Sequence, residues 1–254
     1  MHVTVCQLRD DRDGFAADWS GLCAHTRESK SELVLLPEMP FAPWFAVSRT
    51  FDPSVWREAV DSHQRWEPRF SELGAPFVMS TRPVDHDARR LNEAFIATPN
   101  GATAFHHKRY LPDEEAFWEA SWYERGDETF DLVRAMDAAI GVQICTEMWM
   151  LDLSRQYGLR GADIIAVPRA TPATSRDRWV VGARAAAIVS GAFCISSNHS
   201  GTSTAGETFA GLGWIVDPDG EVLALTSDAE RFVTRDLDLR HARVAKTTYP
   251  RYVR

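Results

Sequence analysis

Leu33-Val34-Leu35-Leu36-Pro37-Glu38 is a continuous apolar run that stops at a proline and delivers a carboxylate. A strand with apolar side chains at successive positions has no face suited to water, so it must be covered on both sides, as strands are inside an α/β sheet. Upstream, Val3 to Leu8 alternates and is β-rich, and Asp11 to Ser29 carries Phe15, Trp19, Leu22 and Cys23 near helical spacing. Downstream, Ser54 to Leu73 reads as a helix with Val55, Ala59 and Trp66 inward. Strands follow over Pro76 to Ser80, Asn92 to Thr98 and Thr103 to Lys108, the last two joined into an antiparallel hairpin by Pro99-Asn100-Gly101.

Beyond an acidic, aromatic connection from Tyr110 to Asp127, strands are expected over Phe130 to Arg134 and Ala138 to Cys145. A helix from about Trp149 to Tyr157 is closed by Gly158 or Gly161, and a strand from Asp163 to Val167 ends at Pro168. Ser175 to Ser190 is helical, packing through Ala183, Ala186 and Ala187. Strands over Ala192 to Ser197, Gly213 to Val216, Val222 to Leu225 and Arg231 to Leu237 complete the chain, with a hairpin turn at Pro218-Asp219-Gly220. Early strand–helix alternation and later hairpins imply an α/β fold with mixed sheets and helices on the outer faces. One domain over residues 1–254 is expected, with residues 241–254 as an arm that folds over another subunit.

The 254 residues are 44% hydrophobic and 25% charged, with a net charge of −8, the profile of a soluble globular chain. An acidic balance argues against nucleic acid or an anionic membrane as partner, since both require a dense cationic face. Met1 to Asp13 lacks the pattern of a signal peptide, and Ala185 to Ile195 falls short of the roughly 20 apolar residues that span a bilayer. A cytoplasmic location is expected. The cysteines Cys6, Cys23, Cys145 and Cys194 form no CxxC pair, and the histidines form no HExxH. His106 and His107 fall on opposite faces of a strand, and Asp85-His86-Asp87 reads as a solvated turn, so no metal is expected.

Three apolar strands end on a reactive side chain: Glu38, Lys108 and Cys145. Strand ends in α/β folds deliver side chains to a common crevice, so the three can converge. A thiol is a nucleophile only as thiolate, and a lysine cation or a helix start after Met148 would lower its pKa from about 8.5. Glu38 would take the thiol proton, while Lys108 and the backbone N–H of Thr146 would stabilise a tetrahedral oxyanion. Taken singly, each residue has a plainer role: a core thiol, a loop carboxylate, a lysine guarding a sheet edge. The joint pattern outweighs these. Lysine is scarce, with Lys30 and Lys246 the only others, and Cys6, Cys23 and Cys194, which no acidic residue and helix start follow, are assigned to packing.

Leu35-Leu36-Pro37-Glu38, His107-Lys108-Arg109-Tyr110-Leu111-Pro112 and Gly141-Val142-Gln143-Ile144-Cys145-Thr146-Glu147 resemble, in order, the three signature segments of the nitrilase, or carbon–nitrogen hydrolase, superfamily. The resemblance implies a four-layer αββα sandwich, assembly as a homodimer or larger homo-oligomer, and a triad that needs no cofactor: Glu38 as base, Lys108 as oxyanion stabiliser, Cys145 as nucleophile. It also implies a second glutamate after the lysine. Glu119 is chosen, with Glu114, Glu115 and Glu124 as competitors.

Thr146-Glu147 resembles the Cys–aromatic–Glu of nitrilases but has threonine in the aromatic place, and it also departs from the Cys–x–Asp and paired-arginine patterns of amidases and carbamoyl amino acid hydrolases, whereas Val167 to Pro172 and Trp179 to Asn198 look more like the amidase and N-carbamoyl amidohydrolase branches. The expected reaction is therefore cleavage of a small linear amide or N-carbamoyl compound with release of ammonia. Nitrile hydrolysis is the closest rival; a silent binding protein and an acyltransferase are the others. Aromatic residues near the catalytic segments, Met39 to Phe45 with Trp44, Phe117 to Trp122, and Trp149, suggest an apolar pocket, although aromatics also pack subunit interfaces. Arg169 or Arg176 could meet a substrate carboxylate. A serine hydrolase is poorly supported, because Gly201-Thr202-Ser203-Thr204-Ala205 lacks the last glycine of GxSxG.

Overall fold

A computed structural model describes residues 1–203 and 206–253. Thr204 and Ala205 of the serine segment, and Arg254 of the tail, lie outside the described residues.

The strands are β1 (His2–Arg9), β2 (Leu33–Leu35), β3 (Phe77–His86), β4 (Arg89–Thr98), β5 (Gly101–His107), β6 (Val133–Ala135), β7 (Ala138–Val142), β8 (Ile164–Arg169), β9 (Phe193–Thr202), β10 (Thr208–Ala210), β11 (Trp214–Val216), β12 (Val222–Leu225) and β13 (Phe232–Asp236). The helices are α1 (Arg12–Glu28), α2 (Pro53–Trp66), α3 (Glu119–Trp122), α4 (Leu151–Leu159), α5 (Arg176–Ser190) and α6 (Leu239–Ala245). Hydrogen bonding runs β5-β4-β3-β2-β1-β9-β8-β7-β6. The strand β1 serves both halves: Val3 to Val5 pair in parallel with β2, and Gln7 to Arg9 pair in parallel with β9.

The layers follow from side-chain parity, because successive residues of a strand face opposite ways. Val3, Val5, Leu33 and Leu35 from one half meet Ile164, Ala166, Phe193 and Ile195 from the other in a single buried cluster. Their neighbours face outward: Leu8, Val34 and Leu36 pack on Phe15, Trp19 and Leu22 of α1. On the opposite outer face, Ile165, Val167 and Cys194 pack with Ala183, Ala186 and Ala187 of α5 and Tyr157 of α4. The result is the αββα sandwich. A strand buried on both faces is what the run Leu33 to Leu36 required.

Several boundaries differ from the sequence reading, for physical reasons. The helix expected to reach Leu73 ends at Trp66 and becomes a tight 3₁₀ segment, Glu67–Leu73, because Pro68 supplies no N–H. Its buried face is Trp56, Ala59 and His63, while Val55 is exposed. Proline does not stop two strands. Pro83 lies inside β3, opposite Asn92, beyond the last pairing of that strand with β2 at Met79, so no partner misses its N–H. Pro168 likewise lies past the β7 pairing of β8, which ends at Ala166. The helix after Cys145 is split into a short 3₁₀ turn, Cys145–Trp149, and α4. The strand β10 was not foreseen.

The turn expected over Asp85 to Asp87 is shorter: Asp85 and His86 end β3, paired with Arg90 and Arg89, and the exposed turn is Asp87-Ala88, both left-handed at φ 49° and 62°. The helix α6 buries Leu239, Ala242 and Ala245 against the core of its own chain, and Arg251 is held by the carbonyl of Ile188. No helix among the described residues is long and apolar enough to cross a membrane.

Candidate active site

Glu38 follows β2, Lys108 follows β5, Cys145 follows β7, and Glu119 opens α3; the four are at most 3% exposed. Lys108 Nζ donates to Glu38 Oε1 at 2.8 Å and to Glu119 Oε2 at 2.6 Å. Of the acidic residues in this connection, the chain therefore brings Glu119 to the lysine. Glu114 and Glu115 are exposed, and Glu124 pairs with Arg89 at the surface. A bulge precedes Lys108: Ala94 and Phe95 pair with His106 and Ala104, leaving Phe105 as the extra residue in β5. Gly126 lets the following segment close on that strand end, since a Cβ there would lie 2.1 Å from the carbonyl oxygen of His107.

Each carboxylate uses one oxygen twice. Glu38 Oε1 also accepts from Asn92 Nδ2 at 2.7 Å, and Glu119 Oε2 also accepts from the Tyr123 hydroxyl. Glu38 Oε2 and Glu119 Oε1 are buried and have no partner among the described residues. Buried polar atoms are rarely left so, and two of them flanking one ammonium mark a functional site.

Cys145 sits at φ 50°, a left-handed conformation that costs a side-chain-bearing residue about 1–2 kcal/mol. Its Sγ lies 3.8 Å from the Ala170 carbonyl oxygen. Met39, just after Glu38, is also left-handed, at φ 44°. As the second residue of its helical turn, Thr146 has an N–H with no carbonyl one turn earlier in that turn to accept it.

The electrostatics correct one expectation. Burial pushes the Cys145 thiol up, Glu38 adds to this, and Lys108 opposes it without prevailing. Burial and Glu38 together outweigh the pull of Lys108, so the thiol favours its neutral form and its reaction calls for a base. Burial works against the Lys108 charge, but Glu119 and Glu38 outweigh it and raise its pKa. Burial raises Glu119 to about 7, against the pull of Lys108 and a smaller pull from the Tyr123 hydrogen bond.

Glu147, part of the third signature segment, is given no role in the sequence reading. Fully buried, it accepts from the Ile144 N–H at 2.8 Å, the Arg109 N–H at 2.7 Å and His106 Nε2 at 2.9 Å. It ties the residues around Lys108 to the turn carrying Cys145. His107, on the other face, contacts Glu93.

A family model described as carbon–nitrogen hydrolase matches residues 2–247. The chain belongs to the carbon–nitrogen hydrolase family. It is a hydrolase acting on carbon–nitrogen bonds. Among curated relatives, the N-carbamoylputrescine amidase of Solanum lycopersicum is 27% identical over 91% of this chain and 84% of its own length. The crystal structure of a carbon–nitrogen hydrolase from Helicobacter pylori superposes with a TM-score of 0.84 at 21% identity, covering 99% of this chain and 94% of that one. An amidase from Nesterenkonia sp. AN1, in a mutant with acrylamide added at its active-site cysteine, superposes with a TM-score of 0.79 at 18% identity, covering 96% and 95%.

In this carbon–nitrogen hydrolase the residues expected to meet substrate divide. Trp44 is buried, donates through Nε1 to the Ala116 carbonyl at 3.0 Å, and shares a cluster with Met39, Phe117, Ala170 and Phe209 beside the thiol. Trp149 is exposed and its ring lies 5.0 Å from that of Trp179. Phe41 belongs instead to the aromatic core on α1, beside Phe15, Trp19 and Trp66. Arg169 is corrected outright as a carboxylate receptor. Its guanidinium is fully buried, with Nε on Ser196 Oγ and the two terminal nitrogens on Thr171 Oγ1 and the Leu212 carbonyl, each at 2.7 Å, and with its centre 3.9 Å from the Trp214 ring. Its contribution to the site is backbone: the Arg169 carbonyl accepts the Glu38 N–H at 3.3 Å.

Asn92, Tyr123, His199 and Glu147 were missed as members of the site. A lone asparagine inside the apolar run Leu91 to Ala97 was the available signal for the first. Tyr123 yields a prediction. Tyr123→Phe removes a hydrogen bond that lowers Glu119, so Glu119 should protonate at higher pH, and the acid limb of kcat/KM should move upward from about pH 7. Stability has the opposite sign: a carboxylate raised from 4.5 to about 7 on folding favours the folded state as pH falls through that window, while activity is being lost. Paired pH–rate and pH–denaturation profiles of the two proteins check both.

Proposed function

We propose that this chain is a cysteine-dependent amidohydrolase that cleaves a small linear amide or N-carbamoyl compound through a thioester at Cys145 and releases ammonia. The observation that carries this reading is the buried Glu38–Lys108–Glu119 cluster, whose charges act on the Cys145 thiol.

Glu38 takes the thiol proton as Sγ attacks the carbonyl carbon. The oxyanion that forms is met by the Lys108 ammonium and the Thr146 N–H, donors of a kind worth roughly 3–4 kcal/mol each. Collapse breaks the carbon–nitrogen bond, and Glu38 returns the proton to the departing nitrogen. Water, deprotonated by Glu38, then hydrolyses the thioester and restores the thiol. Glu119 holds Lys108 charged and aimed throughout. The aromatic cluster around Trp44, Phe117 and Phe209 favours a compact substrate. The name of the tomato relative supports an N-carbamoyl group.

Ammonia release over a panel of primary amides, N-carbamoyl compounds and nitriles tests the reading. Turnover of amides or carbamoyl compounds is expected; turnover of nitriles alone would overturn it. We also read residues 241–254 as a subunit-contact arm, supported by exposed Tyr249, Tyr252 and Val253 at its end. Light scattering should then give a dimer or larger assembly, and a monomer would remove that reading.

A further inference from the structure

We infer that His199, buried beside Asp10, is a positioning residue that fixes the peptide of Glu38 and through it the direction of the base. The inference rests on the proposed role of Glu38.

Both residues are buried, and no step of the proposed cycle uses either. His199 Nε2 lies 2.6 Å from the Glu38 carbonyl oxygen. A carbonyl only accepts, so Nε2 carries the hydrogen. The other ring nitrogen, Nδ1, lies 3.2 Å from Asp10 Oδ1. That same oxygen accepts the Trp44 N–H at 2.9 Å. One carboxylate thus holds the far end of the 38–44 loop and lies against the imidazole that holds its near end.

The pair is placed by the junction of the two sheet halves. Leu8 of β1 pairs with His199 of β9, and the Asp10 N–H donates to the Ser200 carbonyl at 3.1 Å. The His199 ring is packed beside Phe209, centroids 5.2 Å apart, and edge-on to Trp44.

What this controls is the peptide between Glu38 and Met39. The Glu38 N–H is tied to the Arg169 carbonyl, and the Met39 N–H donates to Thr81 Oγ1 at 2.9 Å. With His199 on the carbonyl, this peptide is bonded at its oxygen and its nitrogen, next to a residue held at φ 44°. Rotating that peptide would swing the Glu38 side chain away from Lys108 and the thiol. A buried polar pair that satisfies a strained backbone beside a reacting carboxylate is the arrangement that positioning requires.

His199→Phe keeps a ring against Phe209 but has no donor, and His199→Gln restores an N–H near the position of Nε2. In steady-state ammonia release by the full chain, His199→Phe should lower kcat by about 10-fold or more with KM little changed, and His199→Gln should recover most of the loss. Wild-type kcat in His199→Phe, or no recovery in His199→Gln, overturns the inference. If His199→Phe does not fold, His199→Met, which fills the space without a donor for the Glu38 carbonyl, should show the same fall in kcat; an unchanged kcat there overturns it as well. Wild-type turnover in Glu38→Gln would instead refute the role of Glu38 itself, which separates the two failures.

Discussion

Lys108→Met will abolish measurable ammonia release and lower the stability of the fold by about 3–5 kcal/mol, because it leaves two buried carboxylates facing each other with no cation between them. Lys108 is fully buried and donates to Glu38 and Glu119 at 2.8 and 2.6 Å, so the ammonium is an obligate part of both the charge balance and the geometry. Lys108→Arg separates the two roles. It keeps the charge and should recover part of the stability, but a planar fork cannot occupy the position of a compact ammonium between two carboxylates, and activity should stay lost. Urea unfolding midpoints read beside ammonia release decide the matter. Activity near wild type in either variant would show that Lys108 does not stabilise the oxyanion.

Glu38→Gln will lower kcat by about 10²–10⁴-fold while preserving the fold. The amide can still accept from Lys108 and Asn92 through one oxygen, but it cannot take a proton. The Cys145 thiol is held up by burial, which the pull of Lys108 does not overcome, so removal of the base should also slow its alkylation by iodoacetamide. Slow hydrolysis with alkylation at the wild-type rate would place the base function elsewhere. Both rates unchanged would remove Glu38 from the mechanism.

The parts of this arrangement that could be read from sequence are those written in consecutive residues. The run Leu33 to Leu36 announces a doubly covered strand, and Pro37 announces its end, so Glu38 is located to the residue. Gly141 to Ile144 does the same for Cys145. The connection after Lys108 was less legible, because α3 has only four residues and offers no periodicity to choose among four glutamates; of the four, Glu119 is the one in contact with Lys108.

Pro168 misled for a related reason. Whether Pro168 ends a strand depends on whether a neighbouring strand still needs its N–H, and that neighbour is distant in sequence. Arg169 looked available because arginine is normally exposed. Here Ser196, Thr171, Leu212 and Trp214 converge on it from three other parts of the chain. The pairing of Asp10 with His199 depends on β1 lying beside β9, a fact of topology with no local signature.

Intact-mass analysis of enzyme quenched in acid during turnover of a primary amide tests the thioester at Cys145 most directly. The predicted result is a mass increase equal to the acyl group, mapped to the peptide containing Cys145, absent from Cys145→Ala and retained in Cys194→Ala. Ammonia release by Cys145→Ala at the wild-type rate, or an acyl group mapped to Cys194, would contradict it.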